Sequence, residues 1–581
     1  MLAVAAGGCA GGNPAPAGQA ESMPKAAPVA AAFPEADTAA ALHLLNRLTF
    51  GPRPGDIGAV QRIGIQRWLD QQLDPARLDD PAQAQVRQRY PAAFLSPPEF
   101  YREYPPPQLA RRQAGDSMPR RNDQRRPQDP DMRPGMDTMA VVRFAQGQRA
   151  AGGQLVLATV ARHTLSERQL QEVMTDFWFN HFNVFIGKQL TRYVLSDYLE
   201  RAIRPNVLGR FEDLLSAVAH HPAMLVYLDN AQSVAPGSQP PQAARRVMAQ
   251  LPDEVRRQMP AGLNENYARE LLELHTLGVD GGYTQADVQN VARILTGWSM
   301  VGPGPLAMEA RQDVMAGESG RGRGLGRRRP PQRDPFTFEF RDWAHDRGAK
   351  LVLGVEFPAG RMQDEGERLL TMLAQHPSTA RHLAHKLCAR FVADDPPDGC
   401  VDHAVVAYRR SNGSIAETVR AIVTSEDFWA PANRRNKVKS PLEFLVGALR
   451  VTGMQPDSSP RLAGALQQLG QPLFQQAVPT GYPETQEDWV NSGALLNRMN
   501  MAVAIAAGRL PGLAAAPGAP MAATDDKGAL LVAVNRAILG GQGSDNTLRV
   551  IRQQIADLAD PRAARTMAVG LALGSPEFQR Q

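Results

Sequence analysis

At 581 residues and 43% hydrophobic composition, the chain can bury a large core, and its length alone would allow several domains. Aromatic residues and β-branched alternation are sparse, and apolar residues recur mostly three and four apart, so the pattern points to a mainly α fold. The net charge of +5 does not mark a nucleic-acid surface: residues 101–135 hold eight Arg against five acids and residues 303–336 seven against four, which leaves −1 for everything else.

In chain order, Cys9 ends the run LAVAAGGC and precedes about thirty residues rich in Gly, Ala and Pro. That is how a lipoprotein cleavage site and its tether read, so residues 1–38 are taken as the remnant of an export signal with a flexible tether, and Cys9 as a lipidation site. No run of eighteen apolar residues exists, which leaves a lipid anchor as the expected contact with a membrane. Residues 39–75 predict two helices around FGPRPGD. From there to residue 581 the expectation is a single large multi-helical domain with minor short strands, broken by Arg-rich or variable, disordered inserts at about 97–140, 231–262 and 303–336.

SERQ predicts a capping box with Ser166 as cap and Gln169 at the third helical position. The following helix puts Leu170, Val173, Met174, Phe177 and His181 on one stripe inside DFWFNHFNVF. His181, flanked by Asn180 and Asn183, fits core packing with Asn-to-backbone hydrogen bonds better than a site, although it could meet a second core histidine. The stretch from Asn264 to Trp298 predicts two helices joined by a Gly-rich turn, the second capped by Thr284 with Asp287. On the first, Asn266, Arg269, Glu270 and Glu273 share one arc, while Tyr267, Ala268, Leu271, Leu272, Leu274 and His275 share the opposite, apolar face. Glu270 and His275 are five apart and Glu273 and His275 two, so neither pair can chelate one ion from a continuous helix.

FTFEFRDWAHDRGAKLVLG is the one place where short strands are expected. Its His345 and Asp346 suit an acid/base pair, a metal-ligand pair or a turn cap equally. In STARHLAHKLCARFV the stripe Ala380, Leu383, Ala384, Leu387 and Phe391 reads as buried, with His382 and His385 on a solvated face. Cys388 and Cys400 read as small buried side chains in preference to a disulfide. The endings IVTSEDFW and LALGSPEF resemble one another as a faint repeat. No GxSxG elbow, phosphate loop, HExxH or strand-borne GxGxxG occurs.

The motifs LLNRLTFGPRPGD, DFWFNHFNVF, HPAMLVYLDNAQS, NENYARELLELHTLGVDGGYTQADV, ARILTGW, the His345-Asp346 pair, KLCARFVADDPP, KSPLEFLVGALR and LGSPEF together resemble the bacterial domain-of-unknown-function 1800 family over nearly all of residues 40–581. The resemblance implies a mostly helical exported protein, periplasmic or on the cell surface, often encoded beside a partner family (domain of unknown function 1501) that looks like alkaline phosphatases and sulfatases. It conveys no activity and no cofactor.

Two functions follow as expectations. One is a cell-envelope accessory or scaffold protein acting with that partner. The other is a metal- or acid/base-dependent enzyme whose catalytic groups Glu270, Glu273, Arg269, His181, His345 and Asp346 converge in one pocket, with His181, His345 and Asp346 as candidate metal ligands.

Overall fold

The computed structural model of the protein describes residues 33–106, 136–249, 262–304, 306, 333–515 and 526–581. The expected lipidation site at Cys9, and the greater part of each expected insert apart from residues 231–249, lie outside the described residues. The fold is mainly α, as the apolar spacing predicts. One continuous set of buried apolar side chains runs from Ala40 to Phe578, and the long Met136–Leu165 helix packs against helices from both halves of the chain.

The opening residues of the first expected insert are helical. Pro97–Glu103 is a helix with its own capping box, Ser96 with Glu99, and buries Phe100 and Tyr101 against Tyr193. SERQ, in contrast, forms no capping box. The Ser166 hydroxyl donates to Asp80 at 2.7 Å, while the Gln169 amide reaches the carbonyls of His163 and Ser166 and accepts from Phe50 N–H. Tertiary partners outcompeted the local cap, and the Gln169–His181 helix starts without one.

The hairpin forms as Asn266–Glu273 and Gln285–Ile294, the second helix closed by the Thr284 and Asp287 capping box. The first helix is shorter than the pattern implies. It ends at Glu273, His275 N–H donates to Glu270 O at 3.0 Å, and Leu274 is only half-buried. His275 nevertheless lies in the core at 1% exposure.

Three two-stranded antiparallel sheets occur among the described residues. Trp298–Met300 pairs with Phe338–Phe340, and Lys350–Val352 with Val355–Phe357. Both fall in or beside the expected strand region. Gly297, at φ +82°, makes the first pairing possible, because a Cβ there would sit 2.6 Å from the Arg341 carbonyl.

Cys388 and Cys400 form a disulfide with Cα atoms 6.4 Å apart, which corrects the reading as separate thiols. Their helices, Pro377–Phe391 and Asp398–Arg410, lie side by side. The IVTSEDFW and LALGSPEF endings share one local geometry. Ser425 and Ser575 each cap a one-turn helix by accepting from Phe428 N–H and Phe578 N–H, and both rings are buried.

Candidate functional site

The hairpin presents the sequence-selected residues in three directions. On its outer face, Arg269 donates to Gln285 at 2.8 Å and lies 3.7 Å from Glu265, Gln285 donates to Glu265 at 2.8 Å, and Tyr283 donates to Glu273 at 3.0 Å. The Glu270 carboxylate is half-buried and has no hydrogen bond or ion pair among the described residues. Burial, with Glu273 beside it, raises its pKa, and Arg269 only partly opposes this.

On the inner side, His181 Nε2 donates to the carbonyl of His275 at 3.2 Å, with ring centroids 6.1 Å apart, so the two core histidines do meet. His382 joins them, 6.1 Å from His181 and 3.3 Å from the Leu274 carbonyl. His385 is exposed, but the expected solvated face does not hold for His382, which turns inward because that carbonyl accepts its ring N–H. Burial, with the Lys386 ammonium nearby, holds His181 well below its usual range and depresses His275 to about 3 and His382 to about 4. All three are neutral at pH 7.

At the far end of the Gln285–Ile294 helix, Arg293 grips Asp346 through two bonds of 2.9 and 3.1 Å. Asp346 N–H donates to Thr296 Oγ1, and His345 Nδ1 donates to the Thr296 carbonyl, both at 2.8 Å. His345 Nε2 and Lys350 Nζ lie 2.7 and 2.5 Å from one oxygen of Glu365, and all three side chains are buried. The HD pair therefore joins the LTGW turn to the strands behind it. Gln285 and Arg293 are eight residues apart on one helix, about 12 Å at 1.5 Å per residue, and no hydrogen bond or ion pair links the Glu270, His181 and His345 sets among the described residues. No group of three His, Cys, Asp or Glu side chains among the described residues is placed to hold a metal ion, so His181, His345 and Asp346 do not form a ligand set.

A different set of residues does converge. Asp176 and Asn180, one turn apart on the Gln169–His181 helix, face a cleft with an inner volume of about 60 Å³. Its other walls come from Arg390 on the Pro377–Phe391 helix, Lys437, Glu443 at the start of the Pro441–Thr452 helix, the loop carrying Tyr482 and Glu484, and Trp489 at the end of the one-turn Gln486–Trp489 helix that follows it.

The loop is seated by the two asparagines of NHFN. Asn180 exchanges two bonds with the Tyr482 backbone at 2.7 and 2.8 Å, and Asn183 donates to the carbonyls of Gln476 and Val478. Gly481 allows this approach at φ +74°, since a Cβ would fall 2.4 Å from the Asn180 carbonyl.

Within the cleft, Arg390 pairs with Glu443 at 2.6 Å, and Lys437 pairs with Asp394. Burial opposes ionisation of Glu443, but Arg390 and the Gln581 and Ser440 hydrogen bonds outweigh it and bring the carboxyl to about 2. Asp176 behaves oppositely. Burial pushes it up to about 6, Glu443 and Glu484 add to the rise, and His163 and Arg390 only partly offset it. Two carboxyls with pKa values driven apart in one cleft are the arrangement that acid/base and binding sites share.

A larger recess of about 190 Å³ beside Tyr408 and Asn412 offers less, because its carboxylate, Glu212, is already tied to Arg210 at 2.6 Å and Thr371 at 2.8 Å.

Asp176 was visible in the sequence only as the first letter of an aromatic-rich run. The available signal was its i, i+4 spacing to Asn180, a polar edge beside the Phe177 and His181 stripe. Arg390 and Glu443 sit in KLCARFVADDPP and KSPLEFLVGALR, more than two hundred residues away, and no pattern in the sequence pairs them with Asp176.

No curated protein and no solved structure matches the chain. A family model described as protein of unknown function (DUF1800) matches residues 43–580. With that match running from the first helix to the last turn, the chain belongs to the DUF1800 family.

Proposed function

We propose that the protein is an exported accessory or scaffold protein of the cell envelope, lipid-anchored through Cys9, which presents the outer face of the Asn266–Glu273 helix to a phosphatase- or sulfatase-like partner of the domain-of-unknown-function 1501 type. The observation that carries the reading is the state of that face. Its polar groups are cross-bonded into a fixed array, yet the half-buried Glu270 carboxylate has no hydrogen bond or ion pair among the described residues. A partner cation facing Glu270 and Glu273 would complete the array, and a pre-ordered surface gives up little side-chain entropy on docking. The Cys388–Cys400 disulfide supports an oxidising compartment.

The alternative enzyme, built from Glu270, Glu273, Arg269, His181, His345 and Asp346, draws less support, because no hydrogen bond or ion pair joins the Glu270, His181 and His345 sets among the described residues.

The test is size-exclusion chromatography with light scattering on the purified chain and a partner-family protein. The wild type should co-elute with it, while a Glu270→Lys, Glu273→Lys double variant of unchanged circular dichroism should not. Equal behaviour of the two proteins would refute the proposed face. Radiolabelled palmitate should enter the wild type in cells and be lost with Cys9→Ser, and labelling that persists in that variant would refute the anchor.

A further inference from the structure

The charges lining the cleft do not cancel. Three carboxylates (Asp176, Glu443 and Glu484) face two cations, Arg390 and Lys437. Both cations are engaged, one by Glu443 and the other by Asp394. Glu484 is loosely held, 3.4 Å from the Asn180 amide and 3.9 Å from Lys386 Nζ. Asp176 has neither a hydrogen bond nor an ion pair among the described residues. A carboxylate taken from water without a partner is destabilising unless something entering the cavity supplies donors.

The surrounding surface suits a cation. Phe177, Tyr482 and Trp489 line the same cleft, and Phe177 already has Lys386 Nζ 5.9 Å from its ring centroid. An anion, in contrast, would find both cations occupied and Asp176 opposing it. At roughly 10–15 Å³ for each water-sized position, an inner volume of about 60 Å³ takes on the order of four to six non-hydrogen atoms. A whole hexose is too large, whereas an aminobutyl group fits.

We infer that the cleft binds a small organic cation, an alkylammonium head group, with the Asp176 carboxylate as counter-ion and Glu484 at the rim. The head group comes either from a free short amine or from a lysine side chain, and both offer the same three N–H donors.

The test is calorimetric titration of the full chain at pH 8 with n-butylammonium chloride and, separately, with Nα-acetyl-lysine methylamide. Sodium butyrate and 1-butanol serve as controls of the same length. Both ammonium probes should bind with Kd on the order of 0.1–1 mM, as expected for one partly buried ion pair. Asp176→Asn should weaken them at least tenfold and Glu484→Gln two- to fivefold. The second variant keeps the test decisive if the first fails to fold.

The groups facing Asp176 are His163 from the Met136–Leu165 helix, Arg390, Glu443 and Glu484. Lowering the pH from 8 to 5 should weaken binding to the wild type as Asp176 takes up its proton, and should leave Asp176→Asn unchanged. Equal affinity for the two ammonium probes identifies a free amine, and tighter binding of the lysine derivative a polypeptide side chain. Binding of butyrate, binding of butanol as tight as that of butylammonium, wild-type affinity in Asp176→Asn, or no ammonium binding at 20 mM would each overturn the assignment.

Discussion

Replacing Asp176 with Asn removes a charge but almost no volume, so it isolates the electrostatic cost of the cleft. Burial lifts the Asp176 carboxyl to about 6 in the folded chain, against the ordinary 3.8 of a solvated aspartate. The folded state therefore holds its proton more tightly than the unfolded state, so ionising the group destabilises the fold. The cost is absent below pH 3.8, grows as pH rises, and is complete above pH 6. At 1.36 kcal/mol for each tenfold change, the difference is about 3 kcal/mol, an upper bound because the side chain is partly open to the cleft. Asp176→Asn should accordingly raise unfolding stability by about 1–3 kcal/mol at pH 8 and by roughly nothing at pH 4. Urea unfolding followed by far-UV circular dichroism at both pH values, compared through the midpoint at constant slope, gives the two differences. A variant destabilised equally at pH 4 and pH 8 would show that Asp176 is structural, and the reasoning about an unsatisfied carboxylate would fail.

Gly481→Ala should lower stability by about 2 kcal/mol or more and loosen the loop around Tyr482, because the position combines φ +74° with a contact of 2.4 Å to the Asn180 carbonyl. The checks are a thermal melt and faster amide exchange in residues 476–484, and an unchanged melt would contradict the close approach. Reduction of Cys388–Cys400, or a paired Cys→Ser variant, should cost about 2–3 kcal/mol from reopening a loop with a sequence separation of 12. Equal denaturant midpoints with and without reductant would argue against the bond. Stability should also fall on acidification from pH 6.5 to 4. His43 at about 4, His275 at about 3 and His382 at about 4 are depressed by burial, so they stay neutral in the fold and gain protons on unfolding. Their stabilisation is whole above pH 6.5 and is lost toward pH 4, and His275→Gln should flatten that slope whatever it does to stability at pH 7.

Local chemistry carried much of this fold into the sequence. The spacing of Val288, Val291 and Ala292 is enough to specify a helix with one buried face. Thr284 with Asp287 fixes where that helix starts, and the Gly-rich run before it permits the turn. The Asn-to-backbone reading of NHFN was legible for the same reason, since a short amide beside an apolar stripe has few other partners. Where the sequence misled, a distant group had won a local competition. Asp80 took the Ser166 hydroxyl, the Leu274 carbonyl drew His382 inward, and the partner helix brought Cys400 to Cys388. The cleft belongs wholly to that second category. Asp176, Arg390, Glu443 and Glu484 each sit on a stretch whose helical or loop character the sequence specifies. Their meeting depends on how four separated segments pack, because charge and burial act through space and a carboxyl's proton affinity is set by neighbours hundreds of residues away.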